Sequence, residues 1–206
     1  MLPLPRIKNI IFDLGNTLVY YDYSYFYDGL YRLERNLNPN KLKRFYLEKD
    51  LGNKLCKSKL KHKNFFKILK KKFDLKTGYS DFTRLYCDIF WENTNMKNLL
   101  EKLSKNKKCK LFLLSNTDPK HIKFVDKNFP YISLLKKRVL SFKTGMIKPD
   151  RKIFIYTLNK YKLLPEETLL IDDLKKNVVS ARSLGINSIH YTTHRSFLKQ
   201  FGKYII

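Results

Sequence analysis

Alanine and glutamine are almost absent: Ala181 and Gln200 are the only examples in 206 residues, while Lys, Asn, Ile, Tyr and Phe abound. That bias is the pattern of AT-rich codon usage. Acidic residues are scarce too, 18 Asp and Glu against 43 Lys and Arg, for a formal net charge of +25. Such a surplus attracts phosphate-rich partners. Lysine far outnumbers arginine, however, whereas nucleic-acid readers cluster their charge and favour arginine. Compositional drift is therefore the preferred reading, and a nucleic acid remains an alternative partner. The cysteines, Cys56, Cys87 and Cys109, are few and show no Cys-x-x-Cys spacing. Neither a zinc site nor a disulfide framework is indicated, and reduced, buried thiols in a cytoplasmic protein are expected. No apolar stretch approaches the roughly 20 residues that span a bilayer, so no membrane partner is expected. The first apolar run follows Pro3 and Pro5 and contains Asp13, which does not fit a signal-peptide core. No internal repeat is visible, and the basic run Lys105–Lys110 reads as a solvated turn.

What is present is a set of apolar runs that end in polar groups. Ile10-Ile11-Phe12 runs into Asp13-Leu14-Gly15-Asn16, the form of a buried parallel strand closed by a turn. In open parallel sheets, ligands bind just beyond the carboxyl ends of the strands, which is where Asp13 falls. Leu111-Phe112-Leu113-Leu114 ends in Ser115-Asn116-Thr117, and Leu169-Leu170-Ile171 ends in Asp172-Asp173. Lys148-Pro149-Asp150 stands directly before the helical spacing Phe154, Leu158, Tyr161. The ordered set Asp, Ser, Lys, Asp-Asp is far more specific than any one member.

That order resembles the haloacid dehalogenase-like (HAD) hydrolase superfamily, most of whose members are magnesium-dependent phosphatases. The family's first motif is commonly Asp-x-Asp-Gly-Thr/Val-Leu, against Asp13-Leu14-Gly15-Asn16-Thr17-Leu18 here. The resemblance continues through Ser115-Asn116, Lys148-Pro149-Asp150, Asp172-Asp173, Asn177 and Gly185, and covers about residues 6–20 and 95–192. The chain is similar to sugar-phosphate phosphatases of the glucose-1-phosphate type, which share Asp-Leu-Gly-Asn, Leu-Ser-Asn-Thr, Gly-Met-x-Lys-Pro and Asp-Asp. More distantly it resembles the N-terminal phosphatase domain of soluble epoxide hydrolase.

The resemblance implies an α/β fold, a Rossmann-like doubly wound parallel sheet with an inserted α-helical cap. The core is expected in residues 1–20 and 94–206 and the cap in residues 21–93. Within the insertion, Phe26, Leu30 and Leu33 share one helix face, as do Phe65, Phe66, Leu69 and Phe73. Breaks at Asn38-Pro39-Asn40, Leu51-Gly52-Asn53 and Lys76-Thr77-Gly78 divide it into about four helices. Tyr20 to Tyr23 is expected to form the hinge and the start of the cap. From residue 94 onward helix and strand patterns alternate, as parallel strands joined by crossovers require. Ala181, one turn before Gly185, is small enough to let its helix approach the sheet closely.

Phosphate-ester hydrolysis needs a nucleophile and a means of neutralising charge. A carboxylate attacking phosphorus divides one hard displacement into two easier ones, and Asp13 is the candidate. It faces a phosphate dianion, so a cation must stand between them, and magnesium binds through carboxylates, substrate phosphate and water. By resemblance, Asp173 is a direct magnesium ligand alongside Asp13, Asp172 acts directly or through water, and Gly15 offers its backbone carbonyl. Lys148 would place charge on the transferring phosphoryl group, with Ser115 and the backbone of Asn116 donating to its oxygens. Gly15 departs from the family pattern, which has a second aspartate there as general acid and base. Its loss implies a slower enzyme, a better leaving group such as a hexose 1-phosphate, or another proton donor, and a glycine here suggests positive φ that aspartate disfavours. The expected function is a Mg²⁺-dependent phosphatase of a small phosphorylated metabolite. The alternatives are a catalytically weak polyanion binder and a dehalogenase. Dehalogenases lack the late acid pair, and Asp172-Asp173 without a cation would leave like charges adjacent.

Overall fold

The computed structural model describes residues 7–106 and 108–204. Pro3 and Pro5, and Lys107 within the basic run, lie outside them. The chain enters through strand β1 (Asn9–Phe12) and turns into β2 (Val19–Tyr21). Five helices follow: α1 (Ser24–Leu33), α2 (Pro39–Glu48), α3 (Leu51–Cys56), α4 (His62–Phe73) and α5 (Tyr79–Cys87). Strand β3 (Phe90–Glu92) returns the chain to α6 (Thr94–Asn106) and β4 (Lys110–Ser115). Then come α7 (Pro119–Asn128), β5 (Lys137–Leu140), the short α8 (Ser141–Thr144) and α9 (Arg151–Tyr161). The chain finishes with β6 (Thr168–Asp172), α10 (Lys175–Arg182), β7 (Asn187–His190) and α11 (His194–Phe201).

Five of these strands form one parallel sheet in the order β5-β4-β1-β6-β7. β1 is central, and its four residues are buried on both faces. The strand period of two sends neighbouring side chains to opposite layers. Ile10, Phe12, Leu113, Leu169 and Ile171 join one apolar cluster, while Ile11, Phe112, Leu114 and Leu170 join the other. Ala181 is fully buried in the second cluster, where a larger side chain would hold α10 off the sheet. Gly185 takes φ +79, a left-handed turn that ends this helix and that glycine adopts without penalty.

The inserted helices have their own core. Phe26, Phe65, Phe82 and Tyr86 are fully buried there, and Phe26 meets Phe82 edge-on at 5.3 Å. Burying a ring of this size contributes about 1.5–3 kcal/mol. Local rules set the boundaries: Asn38 accepts from the Asn40 and Lys41 amides with Pro39 at the first helical position, starting α2. The insert holds five helices where about four were expected. Leu51-Gly52-Asn53 is the start of α3, and the break falls one residue earlier, at Asp50 with φ 50.

The hinge differs too. Val19, Tyr20 and Tyr21 pair antiparallel with Glu92, Trp91 and Phe90, so the two connections between insert and core form a β-ribbon. α1 begins only at Ser24. The thiols are free as expected, but only Cys87 is buried; Cys56 and Cys109 are partly exposed. Among the described residues no helix is long and apolar enough to cross a membrane.

Candidate active site

Strand ends place the polar groups. Asp13 follows β1 directly, and its amide donates to the Ile171 carbonyl at 2.9 Å. Ser115 closes β4 and Asp172 closes β6, so the two strands flanking β1 deliver a hydroxyl and a carboxylate beside Asp13. Lys148 comes from the loop between α8 and α9. That loop is held by Asn116, whose side-chain amide donates to the Lys148 carbonyl and accepts from the Lys148 amide, each at 2.9 Å. Asn116 is thus a clamp, and only its backbone is free for a ligand. Asp150 caps α9 by accepting from the Lys152 amide at 2.9 Å, which explains the placing of the Lys-Pro-Asp segment.

Lys148 is 2 % exposed, and its Nζ donates to Asp13 Oδ1 at 2.6 Å, Asp172 Oδ2 at 2.6 Å and the Leu114 carbonyl at 3.0 Å. An ammonium has three donors, and all three are committed. Lys148 was expected to face the phosphoryl group; in this arrangement it fixes the nucleophile candidate and the second carboxylate. Asp172 Oδ1 also accepts from the Leu174 amide at 2.9 Å and Asn177 Nδ2 at 2.8 Å. Asp173 is less enclosed, and its backbone carbonyl accepts from His190 Nε2 at 2.8 Å. Ser115 is buried beside them, lining the same cavity.

One oxygen from each of Asp13, Asp172 and Asp173 lies within 4.8 Å of the others. Burial raises the Asp13 carboxyl above its usual range; Lys148 opposes this, and Asp172 and Asp173 reinforce it. Asp173 is raised by burial and then by Asp172. Lys148 is raised in turn, the Asp13 and Asp172 charges outweighing the cost of burying it. Three carboxylates against one ammonium leave an excess of negative charge in a desolvated site. An all-oxygen set with that excess fits a hard divalent cation.

At Gly15 the structure corrects one expectation. Its φ is not positive; the left-handed residue is Asn16, at φ 52. That turn folds β2 back over the glycine, helped by the Tyr21 amide donating to Asn16 Oδ1 at 3.3 Å. A Cβ on Gly15 would lie 2.5 Å from Tyr21 Cε1. Glycine is required here by the ring and not by the backbone. Burial, with Asp13 and Asp173 next, pushes the Tyr21 phenol up to about 12.

A second buried network joins insert to core and was not read from the sequence. Asp118 caps α7 through the Lys120 and His121 amides at 2.8 and 3.2 Å. Its Oδ2 also takes the Tyr86 hydroxyl and His121 Nδ1, both at 2.8 Å. His121 Nε2 faces the Tyr86 carbonyl at 2.9 Å, and the two rings stack at 4.1 Å. The Asp-Pro pair signalled the cap, but nothing local linked it to Tyr86. Burial opposes the Asp118 charge, yet His121 and the hydrogen bonds hold this carboxyl well below the usual carboxylate range. Asp118→Ala is expected to cost about 3–5 kcal/mol in chemical denaturation at neutral pH, because a buried partner is stranded. A depressed folded pKa contributes stability above the unfolded value and loses it as pH falls. The difference from wild type should therefore shrink below about pH 4.

Between insert and core lies a cavity of about 510 Å³, within the range of small-molecule sites. Asp13, Gly15, Ser115, Lys148 and Asp173 line its core side, and Tyr23, Tyr46 and Asn53 its helical side. The Tyr46 hydroxyl is buried on the helical side of the cavity, its ring 5.3 Å from that of Tyr23. Neither Tyr46 nor His121 carries a local signal of a site, because helical spacing marks them only as apolar-face residues.

A family model described as haloacid dehalogenase-like hydrolase matches residues 10–191. The chain is 25% identical over 188 residues to a D-ribitol-5-phosphate phosphatase of Bacteroides thetaiotaomicron, covering 88% of this chain and 90% of that one. It is 24% identical over 119 residues to a phosphorylated carbohydrates phosphatase of Thermotoga maritima, covering 58% and 55% of the two chains. A solved HAD-family enzyme of Bacteroides thetaiotaomicron, in complex with magnesium and inorganic phosphate, superposes with TM-score 0.80. Its identity is 26%, over 95% of this chain and 99% of that one.

Proposed function

Because the chain belongs to the haloacid dehalogenase-like hydrolase family, we propose that Asp13 is the nucleophile of a magnesium-dependent phosphatase whose substrate is a small phosphorylated carbohydrate. The enzyme is a phosphoric monoester hydrolase and Mg²⁺ is its cofactor. The observation that carries the mechanism is the Lys148 ammonium held between Asp13 and Asp172, 2.6 Å from each.

Asp13 Oδ1 is fixed by Lys148, which leaves Oδ2 to attack phosphorus and form an aspartyl phosphate. Asp13, Asp172 and Asp173, with the Gly15 carbonyl, would hold magnesium, which when bound supplies positive charge between the attacking carboxylate and the phosphate. Asp172 already accepts three hydrogen bonds, so Asp173 has the more available carboxylate. The Ser115 hydroxyl and the Asn116 amide donate to the phosphoryl oxygens, stabilising charge as it spreads in the transition state. The helical insert closes the cavity over the leaving group. Tyr23, Tyr46 and Asn53 present hydrogen-bonding groups there, which suits a polyhydroxylated substrate. Lys43 and Lys176 also line the cavity, so part of the basic surplus faces the phosphate site.

A panel of sugar and polyol phosphates, assayed with magnesium and with excess chelator, tests this reading. Turnover of several carbohydrate phosphates that vanishes with chelator is expected. Full turnover in excess chelator would contradict the mechanism, and turnover restricted to esters without hydroxyl groups would contradict the substrate class.

A further inference from the structure

With glycine at position 15, the chain has no carboxyl there to protonate the departing oxygen. The space is not empty. A Cβ on Gly15 would meet Tyr21 Cε1 at 2.5 Å and Cδ1 at 2.8 Å, with the hydroxyl-bearing Cζ at 3.6 Å. The phenol ring thus occupies the volume into which a side chain at 15 would grow. Both residues line the cavity that holds Asp13 and Ser115. The ring is held in place: Tyr21 pairs with Phe90 in the ribbon, and its ring packs on Phe90 and edge-on against Tyr23, each at 6.0 Å. Its amide is taken by Asn16, but among the described residues its hydroxyl makes no hydrogen bond. A phenol carries its proton at neutral pH, so this is a free donor on a residue that lines the cavity with Asp13.

We propose that the Tyr21 hydroxyl does the work of the missing side chain at position 15, donating to the leaving-group oxygen of an alkyl phosphate ester; the inference rests on the phosphatase reading. As Asp13 bonds to phosphorus, the electron pair of the breaking ester P–O bond passes to the leaving oxygen, and the phenolic proton follows it. Water then attacks the phosphorus of the aspartyl phosphate. The bond from phosphorus to Asp13 breaks, its electron pair returns to the carboxylate, and a proton from the water restores the phenol. The sum is ester plus water to alcohol plus phosphate. Gly15 and Tyr21 are then two halves of one device: the glycine is needed because the ring must pass where its side chain would be.

The test is single-turnover formation of the aspartyl enzyme with magnesium, on an aryl phosphate and on a sugar 6-phosphate. Tyr21→Phe keeps the ring and removes the donor. It should slow the sugar ester about 10²-fold, the scale of lost general-acid help, and slow the aryl ester, which needs little protonation, by less than about tenfold. In a second set, Gly15→Asp combined with Tyr21→Ala should recover rate on the sugar ester relative to Tyr21→Ala alone. Gly15→Asp with Tyr21 retained should not, because the two side chains overlap. An equal loss on both esters, or no loss on the sugar ester, would overturn the role of Tyr21 while leaving the phosphatase reading intact. No wild-type turnover of either ester would remove that reading, and this inference with it.

Discussion

Asp13→Asn is expected to lower kcat by about 10⁶-fold, the scale on which loss of a catalytic nucleophile acts elsewhere. The substitution keeps the size of the side chain and retains an oxygen to accept from Lys148, which now sits 2.6 Å from Asp13 Oδ1. What it removes is the attacking charge. It also takes one carboxylate out of a cluster in which burial and the two other acids hold Asp13 above its ordinary range. The folded state should therefore not suffer, and the variant should melt no lower than the metal-free wild type. Turnover within about tenfold of wild type, in a preparation freed of contaminating phosphatase, would exclude covalent catalysis at Asp13.

Lys148→Met is expected to damage both stability and rate. Nζ is the cation held between Asp13 and Asp172, and all its donors are used. Methionine fills much of the same volume but leaves Asp13 and Asp172 facing each other without compensation. Breaking a buried pair in this way costs about 3–5 kcal/mol. In metal-free protein that loss should appear as a lower denaturation midpoint. Magnesium should restore part of it, since a ligand that binds only the folded state stabilises it. Turnover should fall by about 10²–10³-fold, as when one preorganised electrostatic donor is removed. A metal-free variant as stable as wild type would show that Lys148 does not balance the carboxylates.

The candidate site was legible because a buried strand has a simple signature: an apolar run with a polar group at its end. Asp13, Ser115 and Asp172 are all of this kind, and the structure sets their three strands side by side. Lys148 was legible through its Pro-Asp helix start, which Asp150 bears out as a cap. What Lys148 touches was not, because its partners come from three different strands. The overlap of Gly15 with Tyr21 was hidden for another reason. It depends on a left-handed turn at Asn16 and on a ribbon whose strands are three residues each, too short for periodicity to reveal. The fifth helix of the insert was concealed by Gly52, which reads as a break but lies within the first turn of α3, packed against the Tyr46 hydroxyl. The Asp118–His121–Tyr86 network escaped because only its helix cap is local.

A covalent bond between Asp13 and phosphorus can be trapped chemically. The enzyme would be mixed with magnesium and a carbohydrate phosphate for less than one turnover, then quenched and reduced with borohydride, which converts an acyl phosphate on aspartate to homoserine. Peptide mass spectrometry would then locate the reduced residue. Homoserine is expected at position 13, appearing with substrate and magnesium and missing from Asp13→Asn. Rapid product release with no reduced residue at position 13, under conditions where the second step is slow, would contradict it.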